Sequence, residues 1–178
     1  AFNNDLVEGI ELYKGDFPFR HGGRLSSLLE VNTKKQIPEK FGGTGGIGLI
    51  SSRIMLEAPL GQNTSAVIAG RRSYADLFLG LSSDEEIKDV TLYFFDLNGK
   101  ITHRFSSKDK VELNFYTGKD NFGAKNVGDF KYGITVVSLT WNHLFSSTTY
   151  ANFSVNYSNY DYTVGSYLEG SEVKWDSG

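Results

Sequence analysis

A cluster of basic residues around a glycine pair is the first candidate for chemistry in this chain. Residues 15–35 read GDFPFRHGGRLSSLLEVNTKK and place Arg20 and Arg24 on either side of a Gly-Gly pair. Cations on a glycine-rich turn suit a phosphate group or a nucleic acid, because positive charges and backbone N–H groups both attract anions. The whole chain nevertheless carries a net charge of −3. No overall positive field recruits nucleic acid, and we expect no nucleic-acid partner.

Three further patterns resemble catalytic or cofactor sites, and each lacks a part that the chemistry needs. Residues 43–48 (GTGGIG) match the glycine spacing of a dinucleotide-binding loop, but that motif requires a helix to follow and the sequence continues with a strand pattern. No two of the three histidines have metal-ligand spacing. Residues 84–86 (DEE) are typical of a solvated loop. We therefore predict no enzymatic activity, no cofactor and no metal site.

Composition favours a β protein. The chain has 178 residues, of which 20 are Gly, 10 Tyr and 13 Phe, with no Cys. Such a composition favours sheet and turns and excludes disulfides and thiol chemistry. No apolar run reaches the length of a membrane-spanning helix, whereas the signal of a barrel strand is much weaker for each segment. The opening residues AFNN lead us to expect a piece of a longer protein.

The elements that would position these residues are long alternating strands. In residues 93–105, Tyr93, Phe95 and Leu97 lead a series of apolar side chains that alternates with polar ones. A globular strand is usually about five or six residues long, and a membrane-spanning strand about nine to eleven. A hairpin at Asn98-Gly99 is the competing interpretation. We favour one strand, because the alternation passes that point without a shift.

Connection lengths suggest a membrane barrel. Residues 60–63, 106–109 and 146–148 are predicted as tight turns, whereas 76–90 and 118–131 are predicted as long loops. Outer-membrane barrels have short turns at one end and long loops at the other. A soluble secreted β-sandwich that binds a ligand or carbohydrate is the alternative, since its strands alternate in the same way. An exposed continuous aromatic band would indicate the barrel, and two facing apolar layers the sandwich.

The polar sides of these strands carry charges of both signs. Arg or Lys facing lipid at mid-membrane costs about 2–4 kcal/mol, so in a barrel these side chains face the lumen. Charges of both signs suit contact with a polar plug. The predicted lumen-facing residues are Arg53, Glu57, Asp96, Lys100, Arg104 and Glu112.

The N-terminal stretch resembles the end of the plug domain of TonB-dependent outer-membrane receptors, especially the branch common in Bacteroidetes. Ile10-Glu11, Ser26-Ser27 and Thr33-Lys34 match that pattern. Later segments such as YFFDLNGKITHRFSSKDKVELNFYTGKDNFG and LTWNHLF are similar to the opening barrel strands of that branch. The plug motif itself comprises Lys14, Gly15, Pro18, Arg20, His21, Gly22, Gly23 and Arg24.

The resemblance implies an all-β, antiparallel fold forming part of a 22-stranded transmembrane barrel. Residues 1–37 would be the C-terminal part of the plug, and residues 44–178 the first seven barrel strands, which would not close alone. It also implies location in the bacterial outer membrane, contact with its lipid, import of a scarce nutrient and a TonB-type energy transducer as partner. The seven strands are expected near 44–50, 52–60, 64–75, 91–105, 109–118, 133–145 and 148–162.

This resemblance also offers an answer for the basic turn. As a plug loop inside the lumen, it would pair Arg20 and Arg24 with inward carboxylates such as Glu57 or Glu112, and no phosphate is needed. Open sheet edges and a lipid-facing apolar surface would lead the isolated chain to self-associate.

Overall fold

The structure, a computed structural model, is built almost entirely of antiparallel strands, which confirms the predicted all-β class. It describes residues 5–15, 26–33, 38–124, 128–168 and 171–177. The strands are β1 (Val7–Tyr13), β2 (Leu28–Thr33), β3 (Gly42–Ile47), β4 (Ser51–Pro59), β5 (Thr64–Ser73), β6 (Thr91–Arg104), β7 (Asp109–Ala124), β8 (Gly128–Leu144), β9 (Tyr150–Leu168) and β10 (Ser171–Ser177). Two short helices are α1 (Ala75–Leu79) and α2 (Glu85–Lys88).

Eight strands form one large antiparallel sheet in the order β10-β9-β8-β7-β6-β5-β4-β3. Spatial order follows chain order, because consecutive strands from β3 to β10 pair with each other. Among the described residues the sheet stays open, with β3 and β10 at its edges. The sequence predicted seven strands here, and β10 is the additional one. It pairs with the last residues of β9, which continues past its predicted end near residue 162 to Leu168.

The longest alternating stretch is a single strand, as predicted. β6 runs through Asn98-Gly99, where Asn98 is opposite both Ala69 of β5 and Tyr116 of β7. A hairpin at this position would instead have paired the two halves of β6 with each other. The two neighbouring strands satisfy the backbone hydrogen bonds along its whole length, so no turn is needed.

The long loop predicted at residues 118–131 is wrong. β7 continues to Ala124 and β8 begins at Gly128, with cross-strand pairs from Gly118↔Ile134 up to Ala124↔Gly128. The glycines and charged residues that indicated a loop have low strand propensity. Strand propensity is a weaker effect than hydrogen bonding to two neighbouring strands, so these residues form strands in spite of their low propensity.

One connection of the large sheet is much longer than the others. At one end, the turn end, residues 60–63, 105–108 and 145–149 are short turns. At the other, the loop end, residues 74–90 contain α1 and α2, whereas residues 48–50 are a short turn. These connections match the predicted turns and the predicted loop at 76–90.

The N-terminal strands form a separate two-stranded sheet. β1 and β2 pair antiparallel. Just before β1, Leu6 packs with Met55 and Ala69 of the large sheet. These three are the buried apolar residues of the part of the chain that the structure describes. So small a core leaves most apolar side chains of the large sheet exposed.

Candidate functional site

The large sheet presents two chemically different faces, which together form the candidate site. Side chains alternate along a strand, so residues directly opposite each other on neighbouring strands share a face. The pairing registers define cross-strand rows on the first face, called the apolar face. Its middle row is Leu56, Ile68, Gly99, Phe115, Val137 and Tyr157.

The apolar face is a continuous exposed band from β4 to β9. Ile68 is 51% exposed, Phe153 58% and Val155 73%. Towards the turn end, the next row is Ala58, Ala66, Ile101, Leu113, Leu139 and Val155. Monomeric soluble proteins rarely expose an apolar patch of more than a few hundred Å². A band across six strands therefore indicates a surface that something apolar covers.

Aromatic and histidine side chains border this band at the turn end. The rings of Trp141 and Phe153 stack with their centroids 5.6 Å apart. His143 packs edge-on against Phe145 at 4.4 Å. Its Nδ1 lies 2.6 Å from Oδ1 of Asp109, the first residue of β7, which lies beyond the apolar rows. Hydrogen bonds to Asp109 from His143, then Ser106 and Trp141, hold the pKa of this carboxyl below its usual value.

Polar residues border the band at the loop end and set its height. Lys119 and Asp161 flank Gly133 in the row beyond Thr117 and Thr135 on the same face. In β7, ten residues separate Asp109 from Lys119. That is about 34 Å along a strand, or about 26 Å of height at a tilt of ~40°. Outer-membrane barrels have an apolar band about 25 Å tall.

The opposite face, called the polar face, contains ion pairs. Asp96 is 3% exposed, and its Oδ2 accepts hydrogen bonds from Nε of Arg71 at 2.9 Å and Nη2 at 2.7 Å. The two carboxylate oxygens of Glu112 lie 3.2 Å from Nζ of Lys100 and 3.3 Å from Nζ of Lys110. Buried charges are costly unless they are paired, and the cross-strand pairs Arg71–Asp96 and Lys100–Glu112 and the Lys110–Glu112 pair within β7 meet that requirement.

The register places the predicted lumen-facing residues together on the polar face. Arg53 and Glu57 alternate with exposed apolar neighbours in β4, and Arg104 is opposite Lys110. Within the described residues, Glu112 is paired with Lys100 and Lys110. Spacing along the sequence could not reveal the Lys100–Glu112 pair, since it depends on the register between β6 and β7. The residues that share this face are Arg53, Glu57, Asp96, Lys100, Arg104 and Glu112.

The N-terminal segment contacts the polar face. Oδ2 of Asp5 lies 3.0 Å from Nε of Arg53, and Leu6 packs on Met55. A cavity of about 310 Å³ separates Val31 and Thr33 of β2 from the polar face. Small apolar contacts and the Asp5–Arg53 ion pair thus join the described part of the N-terminal segment to the large sheet.

Only the beginning of the predicted plug motif lies among the described residues. Lys14 and Gly15 follow β1, and Gly15 has a φ of 146°, which favours glycine. The proposed pairing of the motif's arginines with Glu57 or Glu112 stays a prediction. The other members, Pro18, Arg20, His21, Gly22, Gly23 and Arg24, lie outside the described residues.

The polarity of the two faces reverses near the loop end, which the sequence analysis missed. The polar face ends there in an apolar row of Leu92, Phe122, Phe130, Val164 and Trp175. On the apolar face, the same strand ends carry Asn121 and Lys131 instead. A change in apolar parity, from Phe115 to Phe122 in β7, is the sequence signal, but the loop assignment concealed it.

The described residues offer little for metal or cofactor chemistry. They contain no cluster of three or more potential metal ligands. Residues 43–48 lie in and just after β3 and lead into β4 instead of the helix that a dinucleotide-binding loop requires. None of the described helices is long and apolar enough to span a membrane. In these residues, the functional candidate is the large sheet itself, with one face suited to an apolar environment and the other to a polar one.

Comparison with protein-family models, curated proteins and solved structures finds no match to this chain. We therefore infer function from the geometry of the sheet. Two features support the inference: an exposed apolar band of limited height, and a polar face with paired charges.

Proposed function

We propose that this chain forms part of the wall of a TonB-dependent outer-membrane receptor, together with the end of its plug. In this proposal residues 44–178 belong to a 22-stranded transmembrane barrel and residues 1–37 to the plug. The receptor binds a scarce nutrient outside a bacterium and imports it through the plugged barrel. A TonB-type energy transducer supplies the energy, and the chain performs no catalysis.

The observation that carries the proposal is the exposed apolar face opposite a polar face with buried ion pairs. Lipid in contact with Ile68, Phe153 and Val155 would remove their exposed surface from water. The height of the band, about 26 Å, suits the hydrocarbon layer of an outer membrane. On the other face, the Arg71–Asp96 pair suits a polar lumen.

Contacts of the N-terminal segment provide a second line of support. Asp5 and Leu6 contact the polar face, where a plug would lie in a barrel. A β-sandwich would instead need a second sheet across the apolar face. Within the described residues, the second sheet is associated with the polar face, through Leu6 and the cavity beside Val31 and Thr33.

The first test is the detergent dependence of the purified chain, measured by size-exclusion chromatography with light scattering. We expect aggregation in plain buffer, because the open edges β3 and β10 and the apolar face are all free to associate. In a mild detergent we expect a β-rich species of defined size. A monodisperse monomer that melts cooperatively in plain buffer would refute the proposal.

A matched pair of variants makes this test specific to one face. Val155 on the apolar face and Asn156 on the polar face are adjacent and exposed in β9. We expect Val155→Arg to reduce insertion into phosphatidylcholine vesicles, by about 30-fold or more, since Arg facing lipid costs about 2–4 kcal/mol at mid-membrane. Asn156→Arg should insert like the unmodified chain. Equal insertion of the two variants would argue against lipid contact.

A further inference from the structure

Three cations lie on the apolar side of the sheet, just beyond the apolar band at the loop end. Arg72 and Lys119 both pair with Phe95 across neighbouring strands, so they share its face. Lys119 is opposite Gly133, and Lys131 lies two residues from Gly133 in β8, on the same face. All three side chains are exposed. Together Arg72, Lys119 and Lys131 are called the border cations.

Among the described residues, the border cations lack the carboxylate partners that three cations of the polar face have. Arg71, Lys100 and Lys110 are each bound by a carboxylate. In the part of the chain that the structure describes, the border cations make neither an ion pair nor a side-chain hydrogen bond. The guanidinium of Arg72 lies 5.9 Å from the ring centre of Tyr93, a contact that still leaves its N–H groups available.

Two of the border cations line a common cavity. It measures about 340 Å³ and is lined by Lys119, Lys131, Tyr93 and residues around Gly133. Gly133 contributes no side chain, and the carboxylate of Asp161 occupies the place that a Cβ would take. Asp120 and Asp161 also line the cavity, but within the described residues neither forms an ion pair with Lys119 or Lys131. The cavity thus offers two ammonium donors beside an aromatic ring, with two carboxylates in its lining.

We propose that the border cations bind the anionic phosphate headgroup of a membrane lipid. This rests on the proposed function, because it needs the apolar face to contact lipid. Continuity with the apolar band favours a lipid over free phosphate, since the acyl chains of the same molecule would lie on Leu97 and Phe115 below the site. At the turn end the corresponding border carries His103, Asp109 and His143, so the site is specific to one leaflet.

The test compares vesicles of phosphatidylcholine with vesicles that also contain phosphatidic acid, using the whole chain and flotation to measure bound protein. We expect stronger binding to the phosphatidic acid vesicles, and a loss of about fivefold of this preference for each border cation removed. The variant is Arg72→Gln/Lys119→Gln/Lys131→Gln. Its control, Lys40→Gln/Lys88→Gln/Lys108→Gln, removes the same charge from exposed lysines elsewhere and should keep the preference.

The outcomes separate this inference from the proposed function. Equal insertion into both vesicle types overturns the headgroup site and leaves the membrane wall standing. No insertion into either type overturns the proposed function, and the headgroup site with it. Binding of inorganic phosphate without vesicles, lost in the border-cation variant alone, shows a free-anion site and overturns the assignment to lipid. If the control variant loses the preference for phosphatidic acid equally, the preference depends on net charge alone, and the headgroup site is overturned.

Discussion

Val136 and Val137 are adjacent in β8 and face opposite sides of the large sheet. Val137 lies between Phe115 and Tyr157 in the middle row of the apolar face. Val136 lies between Tyr116 and Ser158 on the polar face, beside the cavity under Leu6. The same residue type thus samples two environments at nearly the same height in the sheet.

This pair predicts a side-specific response to charge. Val137→Arg should lower the free energy of unfolding in lipid by about 2–4 kcal/mol, because the guanidinium would face hydrocarbon. Val136→Arg should cost less, because its charge reaches a cavity that Asn98, Asn114 and Ser138 also line. Urea titration of the folded chain in vesicles measures both. A larger cost for Val136→Arg would reverse the assignment of the two faces.

The Arg71–Asp96 pair should contribute strongly to stability. Removing Asp96, which is nearly buried, leaves the Arg71 guanidinium without its carboxylate. We expect Asp96→Ala to lower the free energy of unfolding in detergent by about 3–5 kcal/mol. Arg53→Ala, which removes a cation that is 49% exposed, is the comparison and should cost less than about 1 kcal/mol. Similar losses in the two variants would show that burial does not strengthen the Asp96 pair.

Asp109 predicts a dependence of stability on acid pH. Its pKa is lowered, chiefly by the hydrogen bond with His143. Its stabilising effect is therefore present above the ordinary Asp value of 3.8 and disappears as the pH falls through the lowered value. Thermal unfolding in detergent across this range should show a smaller acid-dependent loss in Asp109→Asn than in the unmodified chain. Identical pH profiles would contradict the role of this carboxyl.

Two glycines should respond in opposite ways to an added methyl group. A Cβ on Gly99 would lie 3.8 Å from Phe115, an ordinary contact. It would begin to fill an apolar groove of about 450 Å³. Gly99→Ala should therefore stabilise β6 by about 0.5–1 kcal/mol, because glycine weakens a strand. Chemical denaturation in detergent measures the change, and a clear destabilisation would show that the groove is closed to side chains.

Gly128 provides the opposite case. Its φ is 144°, and an added Cβ would meet the carbonyl oxygen of Gly165. We expect Gly128→Ala to destabilise the pairing of β8 with β9 by about 1 kcal/mol or more, because both the backbone angle and the space exclude a side chain. Hydrogen exchange of the β8–β9 amides should then be faster than in the unmodified chain. Unchanged protection would show that the backbone adjusts at no cost.

The alternation of apolar and polar residues predicted much of the sheet. It located most of β6 and β8, and it assigned Asp96, Lys100 and Glu112 to one face. Alternation assigns side chains to faces reliably here, because a strand has only two sides. The type of a residue and its position in the strand are enough to tell which face it is on. It did not predict the strand ends of β7, β8 and β9, because glycines and charges with low strand propensity are held there by neighbouring strands.

The sequence by itself determined the class of fold, the segments that become strands and the chemical character of each face. These properties depend on side-chain type and a period of two residues, which are local. Only the tertiary structure decided which charges pair, where the polarity reverses and which cations are left without a partner. Arg71–Asp96, the row from Leu92 to Trp175 and the border cations all arise from the register between strands. Register is set by hydrogen bonds between distant segments, so it cannot be predicted from the order of residues along one segment.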